Sequence, residues 1–188
     1  NILLDNGVEP YLLLDQNTRR KHLSGSLPSA TVVANMTDPV LKLIYNKIHL
    51  LEHQQPERRF YRLARSGNIE EVKKLIEKNP TQAAKYAAFH IEGEMPLLAH
   101  LCLVKENYQA ILDLLIKNGA NTELEIRNYF QDITSPTYVY FDPYQQHILS
   151  KMVFWLDELN TPLDFAIRVG NPRAVSSLLH HGADTDKP

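Results

Sequence analysis

The sequence predicts an all-α chain. It should form a solenoid of about three helix-turn-helix units, with an N-terminal capping helix and a helical insertion between the last two units. Three observations lead there. Residues 161–184, T-P-L-D-F-A-I-R-V-G-N-P-R-A-V-S-S-L-L-H-H-G-A-D, read as two short amphipathic helices punctuated by glycines. The end of that run, Leu178 to Asp184, recurs at Leu115 to Asn121. Its middle, Ala166-Ile167-Arg168-Val169-Gly170-Asn171, recurs at Leu63-Ala64-Arg65-Ser66-Gly67-Asn68.

Taken in chain order, Leu3-Leu4-Asp5-Asn6-Gly7-Val8-Glu9-Pro10 resembles the tail of another unit, without the helix that should precede it. The chain opens on Asn1 and so reads as a piece of a longer one. A polar loop follows, with Ser24-Gly25-Ser26 and Pro28-Ser29. Asp38-Pro39 then supplies a cap oxygen and a first-turn proline, predicting a helix to about His53. Leu41, Ile44, Ile48 and Leu51 form its apolar stripe, and Gln54-Gln55-Pro56 ends it. Such a helix would cover the exposed end of the first unit.

The first unit starts near Pro56. Its second helix carries Ile69, Val72, Leu75 and Ile76, and Gly67 to Asn79 spans the same interval as Gly170 to Gly182. The middle unit begins at Pro96-Leu97-Leu98-Ala99 and is longer than the others before Asn107. In the last unit Thr161-Pro162 caps and starts a helix with Leu163, Ala166 and Ile167 on one face. Gly170 supplies the left-handed turn that stops it. Asn171-Pro172 starts the second helix, with Ala174, Val175, Leu178 and Leu179 apolar, and Gly182 ends that one.

The start T-P-L, the small residues and the closing L-L-H-H-G-A-D resemble the ankyrin repeat, whose period is about 33 residues. Asp164 stands where that pattern has His. The resemblance covers residues 56–90, 93–122 and 160–186, which gives residues 1–55 as a capping and partial-repeat region and 123–159 as an insertion. It implies a non-catalytic module that binds a partner protein. The irregular repeats, the long insertion and the Asn/Gln/Lys-rich style resemble ankyrin effectors secreted by intracellular bacteria. That likeness implies the host cytosol as the place of action and a host protein as partner.

Two candidate surfaces follow. In the ankyrin pattern the residues before the mid-repeat glycine line the concave face. Here they are Arg62 and Arg65, then His100 and Lys105, then Phe165 and Arg168, a basic row suited to an acidic segment of a partner. The bland alternative is a set of solvated charges. The insertion is the second candidate. It holds Tyr129, Phe130, Tyr138, Tyr140, Phe141, Tyr144, Phe154 and Trp155. Tyr144, Ile148, Met152, Trp155 and Leu159 recur at helical spacing, predicting an amphipathic helix over 143–158. Its aromatics either pack onto the stack or leave Tyr138 and Tyr140 exposed as anchors.

Composition narrows the classes. A formal charge of −2 exerts no overall pull towards nucleic acid or anionic membrane. No apolar run approaches the roughly 18 residues a bilayer requires. The 44% hydrophobic content suits a globular chain, expected as a monomer. The one cysteine, Cys102, rules out an internal disulfide and fits a reducing compartment.

Enzyme readings are weak. His49-Leu50-Leu51-Glu52-His53 fits the H-x-x-E-H zinc-peptidase pattern, but three fixed residues recur by chance and the surroundings do not continue that pattern. Cys102 and His100 are two apart and do not share a helical face. The glycines stand singly, with no phosphate-cradling loop. No cofactor is implied. The alternative to a binding module is the regulatory or targeting part of a larger enzyme whose catalytic part lies elsewhere.

Overall fold

The structure is a computed structural model that describes residues 10–14, 18, 27–90, 95–103, 107–126 and 161–186. Among the described residues there are nine α-helices and no strand. They are α1 (Ala30–Ala34), α2 (Pro39–Gln54), α3 (Pro56–Arg65), α4 (Ile69–Lys78), α5 (Ala83–Ala88), α6 (Leu97–Leu101), α7 (Tyr108–Lys117), α8 (Pro162–Arg168) and α9 (Pro172–His180). The expected helix over 143–158 lies outside the described residues, as do residues 1–9.

The helices form two layers. α3, α6 and α8 stack side by side in one, and α4, α7 and α9 in the other. Each short helix is joined to its partner by a left-handed turn. Gly67 has φ 74°, Gly170 φ 70° and Asn107 φ 67°. Asparagine therefore occupies in the middle pair the conformation that glycine takes in the other two, as its short polar side chain allows. The turn closes the same way after Leu63 and Ala166. The Gly67 N–H donates to Ala64 (2.9 Å) and the Asn68 N–H to Leu63 (3.0 Å). Gly170 and Asn171 repeat this with Ile167 and Ala166, both at 3.0 Å. These pairs satisfy carbonyls that a helix end would otherwise leave open.

Capping fixes the starts. Thr161 Oγ1 accepts from the Asp164 N–H (3.2 Å), and Asp164 Oδ2 accepts from the Thr161 N–H (2.9 Å). Asp164 thus completes a capping box. Asn171 caps α9 through the Ala174 N–H (3.3 Å) and also donates to the Cys102 carbonyl (2.9 Å). One amide side chain therefore starts the last helix and ties it to the preceding pair.

A single apolar core runs through all three pairs, from Phe60 and Ala64 through Leu101, Leu112 and Leu115 to Phe165 and Leu178. Two tyrosine hydroxyls cross it. Tyr61 donates to the Met95 carbonyl (3.1 Å) and Tyr108 to the Arg65 carbonyl (2.7 Å). Since Tyr108 spends its proton on Arg65, the contact with His100 Nε2 (3.0 Å) requires the imidazole to donate.

A second cluster, with Leu14, Val33, Ile44, Tyr45 and Ile48 buried, joins α1 and α2. α2 starts on Asp38, whose carboxylate accepts from the N–H groups of Val40 (2.8 Å) and Leu41 (3.0 Å). It ends at Gln54, one residue beyond the predicted end, and packs on α3.

Two helices are absent from the sequence reading. Ser29, read as loop, accepts from the Val32 N–H (3.3 Å) and starts α1, whose Val33 is buried against α2. α5 follows a 3-10 turn at Pro80–Gln82 and fills the space between the first and second pairs. Its Tyr86 ring stacks on Phe60 at 4.1 Å between centroids, with Ala83 and Ala87 buried beside it. Glu57 on α3 is ion-paired with Lys85 on α5. Burial works to raise the Glu57 pKa, but the hydrogen bond and charge of Lys85 prevail and hold it below the usual carboxylate value.

Candidate functional site

The basic row read from the sequence is not one exposed stripe. Arg62, Arg65, His100 and Phe165 are all buried, and Arg168 is exposed. Lys105, Tyr138 and Tyr140 lie outside the described residues. The burial of Arg62, His100 and Phe165 has a local cause in each case. Arg62 turns towards α2 and grips Glu52 in a bidentate pair, Nε to Oε1 at 2.6 Å and Nη2 to Oε2 at 3.0 Å. The fork geometry of the guanidinium suits this pairing, and both side chains are about nine-tenths covered. The Arg65 carbonyl receives Tyr108. His100 sits beside Tyr61 and Tyr108 in the core. Phe165 belongs to the core of the last pair.

What the fold brings together instead is a groove of about 590 Å³ where α2 meets α3. Leu27, Pro28, Leu63 and Leu75 supply apolar walls, and His53 and Arg59 stand at its exposed margin. The Glu52–Arg62 pair lies within it. Arg59 also reaches Glu71 at 3.7 Å, with its own side chain half exposed. No sequence pattern announces this groove. Glu52 and Arg62 belong to different helices, and ten residues separate them, which is no helical spacing. In the sequence His53 stands out only through the zinc pattern.

That pattern is engaged in structure. His49 Nε2 contacts the Pro28 carbonyl at 2.9 Å, and a carbonyl cannot donate, so this nitrogen carries the proton. A protonated ring nitrogen is no metal ligand through that atom. Glu52 is bound to Arg62. Among the described residues no group of three or more His, Cys, Asp or Glu side chains could hold a metal ion.

Cys102 is fully buried, and its thiol donates to the Leu98 carbonyl at 3.4 Å. Burial pushes the thiol far above its usual pKa, opposite to what a nucleophile needs.

A second groove, of about 500 Å³, lies between α7 and α9. Asp113 accepts hydrogen bonds there from Gln109 (2.9 Å) and from Ser177, so its carboxylate links the two helices. His180 and His181 border the groove.

Against this geometry, residues 158–188 match the family model described as the ankyrin repeat. The match takes in α8, α9 and the exit turn. Residues 158–188 are thus an ankyrin repeat, the preceding pairs share its left-handed turns and its stacking, and the described residues are all-α. Neither the curated proteins nor the solved structures gave a match to this chain. Ankyrin repeats are modules for protein–protein interaction, and that is the class of this chain. Among the described residues no helix is long and apolar enough to cross a membrane.

Proposed function

We propose that this chain binds a partner protein without catalysing a reaction, and that it does so as a monomer through the first-helix face of its ankyrin stack, the aromatic insertion, or both. The observation that carries this reading is the groove at the α2–α3 junction, with apolar walls and the Arg59 guanidinium at its margin. An acidic segment of the partner that also carries apolar side chains suits it.

The roles differ along the proposed row. Arg59 and Arg168 are exposed and would meet the partner's charges, and His53 is exposed beside Arg59. Arg62 would shape the groove wall through Glu52. Arg65, His100 and Phe165 would hold the first helices in place beneath the face. Tyr138 and Tyr140, with Lys105, are proposed as further contacts. A bacterial effector working on a host protein in the host cytosol is the setting proposed for this activity.

Affinity capture with the whole chain, followed by titration of the recovered partner, tests the proposal. Arg59→Glu combined with Arg168→Glu should weaken binding about tenfold or more, and the loss should shrink as salt is raised. Unchanged affinity at low salt would remove the first-helix face. Unchanged capture after deletion of 123–159 would remove the insertion.

A further inference from the structure

The exposed large apolar side chains of the described stack are not scattered. Within the three helix pairs they are Ile167 and Leu179, both in the last pair. Counting back from the glycine or asparagine that closes each helix, Ile167 takes the place of Ala64. Likewise Leu179 takes the place of Ile76 and Ile116, and Val175 that of Val72 and Leu112. Those counterparts are at most 7% exposed, because the next pair lies over them. Ile167 is 58% and Leu179 43% exposed, and Val175 is partly covered. The last pair thus presents the stacking positions of the inner pairs, with aliphatic side chains retained on them. A terminal face built for water would carry polar residues there.

The backbone leaving α9 points the same way. After α7, Gly119-Ala120-Asn121-Thr122-Glu123 closes a turn in which the Glu123 N–H donates to Asn121 Oδ1 at 2.9 Å. After α9, Gly182-Ala183-Asp184-Thr185-Asp186 closes the same turn, with the Asp186 N–H donating to Asp184 Oδ1 at 2.9 Å. The two turns are joined by the Asp184 N–H, which donates to Glu123 Oε1 at 2.9 Å. The second turn is laid on the first as α9 is laid on α7.

We propose that the face formed by Ile167, Val175 and Leu179 receives a further helix pair of the same kind, stacked in the register that α8 and α9 take on α6 and α7. The occupant's chemistry follows from the face: two short antiparallel helices whose inner stripe is aliphatic and small. The interface continues one already present twice in the molecule. This surface is separate from the groove at α2–α3 and serves to extend the stack.

The test compares the 188-residue chain with the same chain extended by a second copy of residues 158–186, joined so as to keep a period of about 33 residues. Each is made with and without Ile167→Asp and Leu179→Asp. In the unextended chain the double variant should leave the unfolding midpoint nearly unchanged and the helical circular dichroism intact. The extended chain should unfold in one transition at a higher denaturant concentration, with amides of α8 and α9 exchanging at least tenfold more slowly. The double variant should abolish both gains. A separate transition for the added pair, unchanged exchange in α8 and α9, or a gain that survives the double variant would overturn the proposal. So would a concentration-dependent dimer of the unextended chain that the double variant dissolves, since a second copy would then own the face.

Discussion

Asn107 shows how much a single backbone conformation decides. It holds φ 67° where Gly67 and Gly170 hold 74° and 70°. All three reverse the chain between the two helices of a pair. An added Cβ at Gly170 would meet no atom within 4 Å, so the cost of a side chain there is conformational alone. Gly170→Ala should therefore destabilise the fold by about 1–2 kcal/mol, while Asn107→Gly should be neutral or stabilise it slightly. Urea unfolding of the two variants checks both signs. A Gly170→Ala loss well beyond that range would indicate a packing role for the turn. The same residue scale explains the misplacement of His100. The sequence shows a histidine near a helix end; only the Tyr108 hydroxyl reaching across to the Arg65 carbonyl places it in the core.

Between elements, the sequence is least informative where two helices meet outside the repeat register. α5 has few large apolar residues, and its contribution depends on Tyr86 finding Phe60. Its traces are Asn79 where the other pairs have glycine, Pro80 after it, and Ala83, Tyr86 and Ala87 at helical spacing. The Glu57–Lys85 pair gives this junction a pH dependence with a definite sign. The folded-state pKa of Glu57 is depressed, so its stabilising contribution is present above the unfolded value near 4.5. That contribution is lost as pH falls through the lower folded value. Lys85→Met should lower stability at pH 7, and burial should then raise the Glu57 pKa. The stability gap between the native chain and the variant should therefore narrow below pH 4.5. A gap that is constant from pH 7 to pH 3 would show that the pair does not couple α3 to α5. The Arg62–Glu52 pair is the corresponding tie between α2 and α3, and it turns a side chain expected on the binding face into a wall of the groove.

At the scale of the whole molecule, the stack behaves as a row of units that each complete the core of the next. Position in the row should then decide the cost of a deletion. Leu115 lies in the middle pair and is fully buried, so Leu115→Ala should cost about 2–5 kcal/mol. Leu179 is exposed at the end, and Leu179→Ala should cost under about 1 kcal/mol. Equal losses in denaturant titrations would mean that the last face is covered in solution.

The sequence by itself determined the helix pairs, their caps and their turns. Those depend on contacts only a few residues apart: a cap oxygen three positions before its amide, a proline at the first turn, a residue tolerant of positive φ. It also determined the likeness to the ankyrin repeat, because the spacing from Gly67 to Asn79 returns from Asn107 to Gly119 and from Gly170 to Gly182. Tertiary structure alone decided which polar residues face water. Arg62 and His100 share the local surroundings of exposed residues, yet partners ten and eight positions away draw them inward. The groove between α2 and α3 and the open face of the last pair arise likewise from packing between helices, where the nearest neighbour in space is remote along the chain.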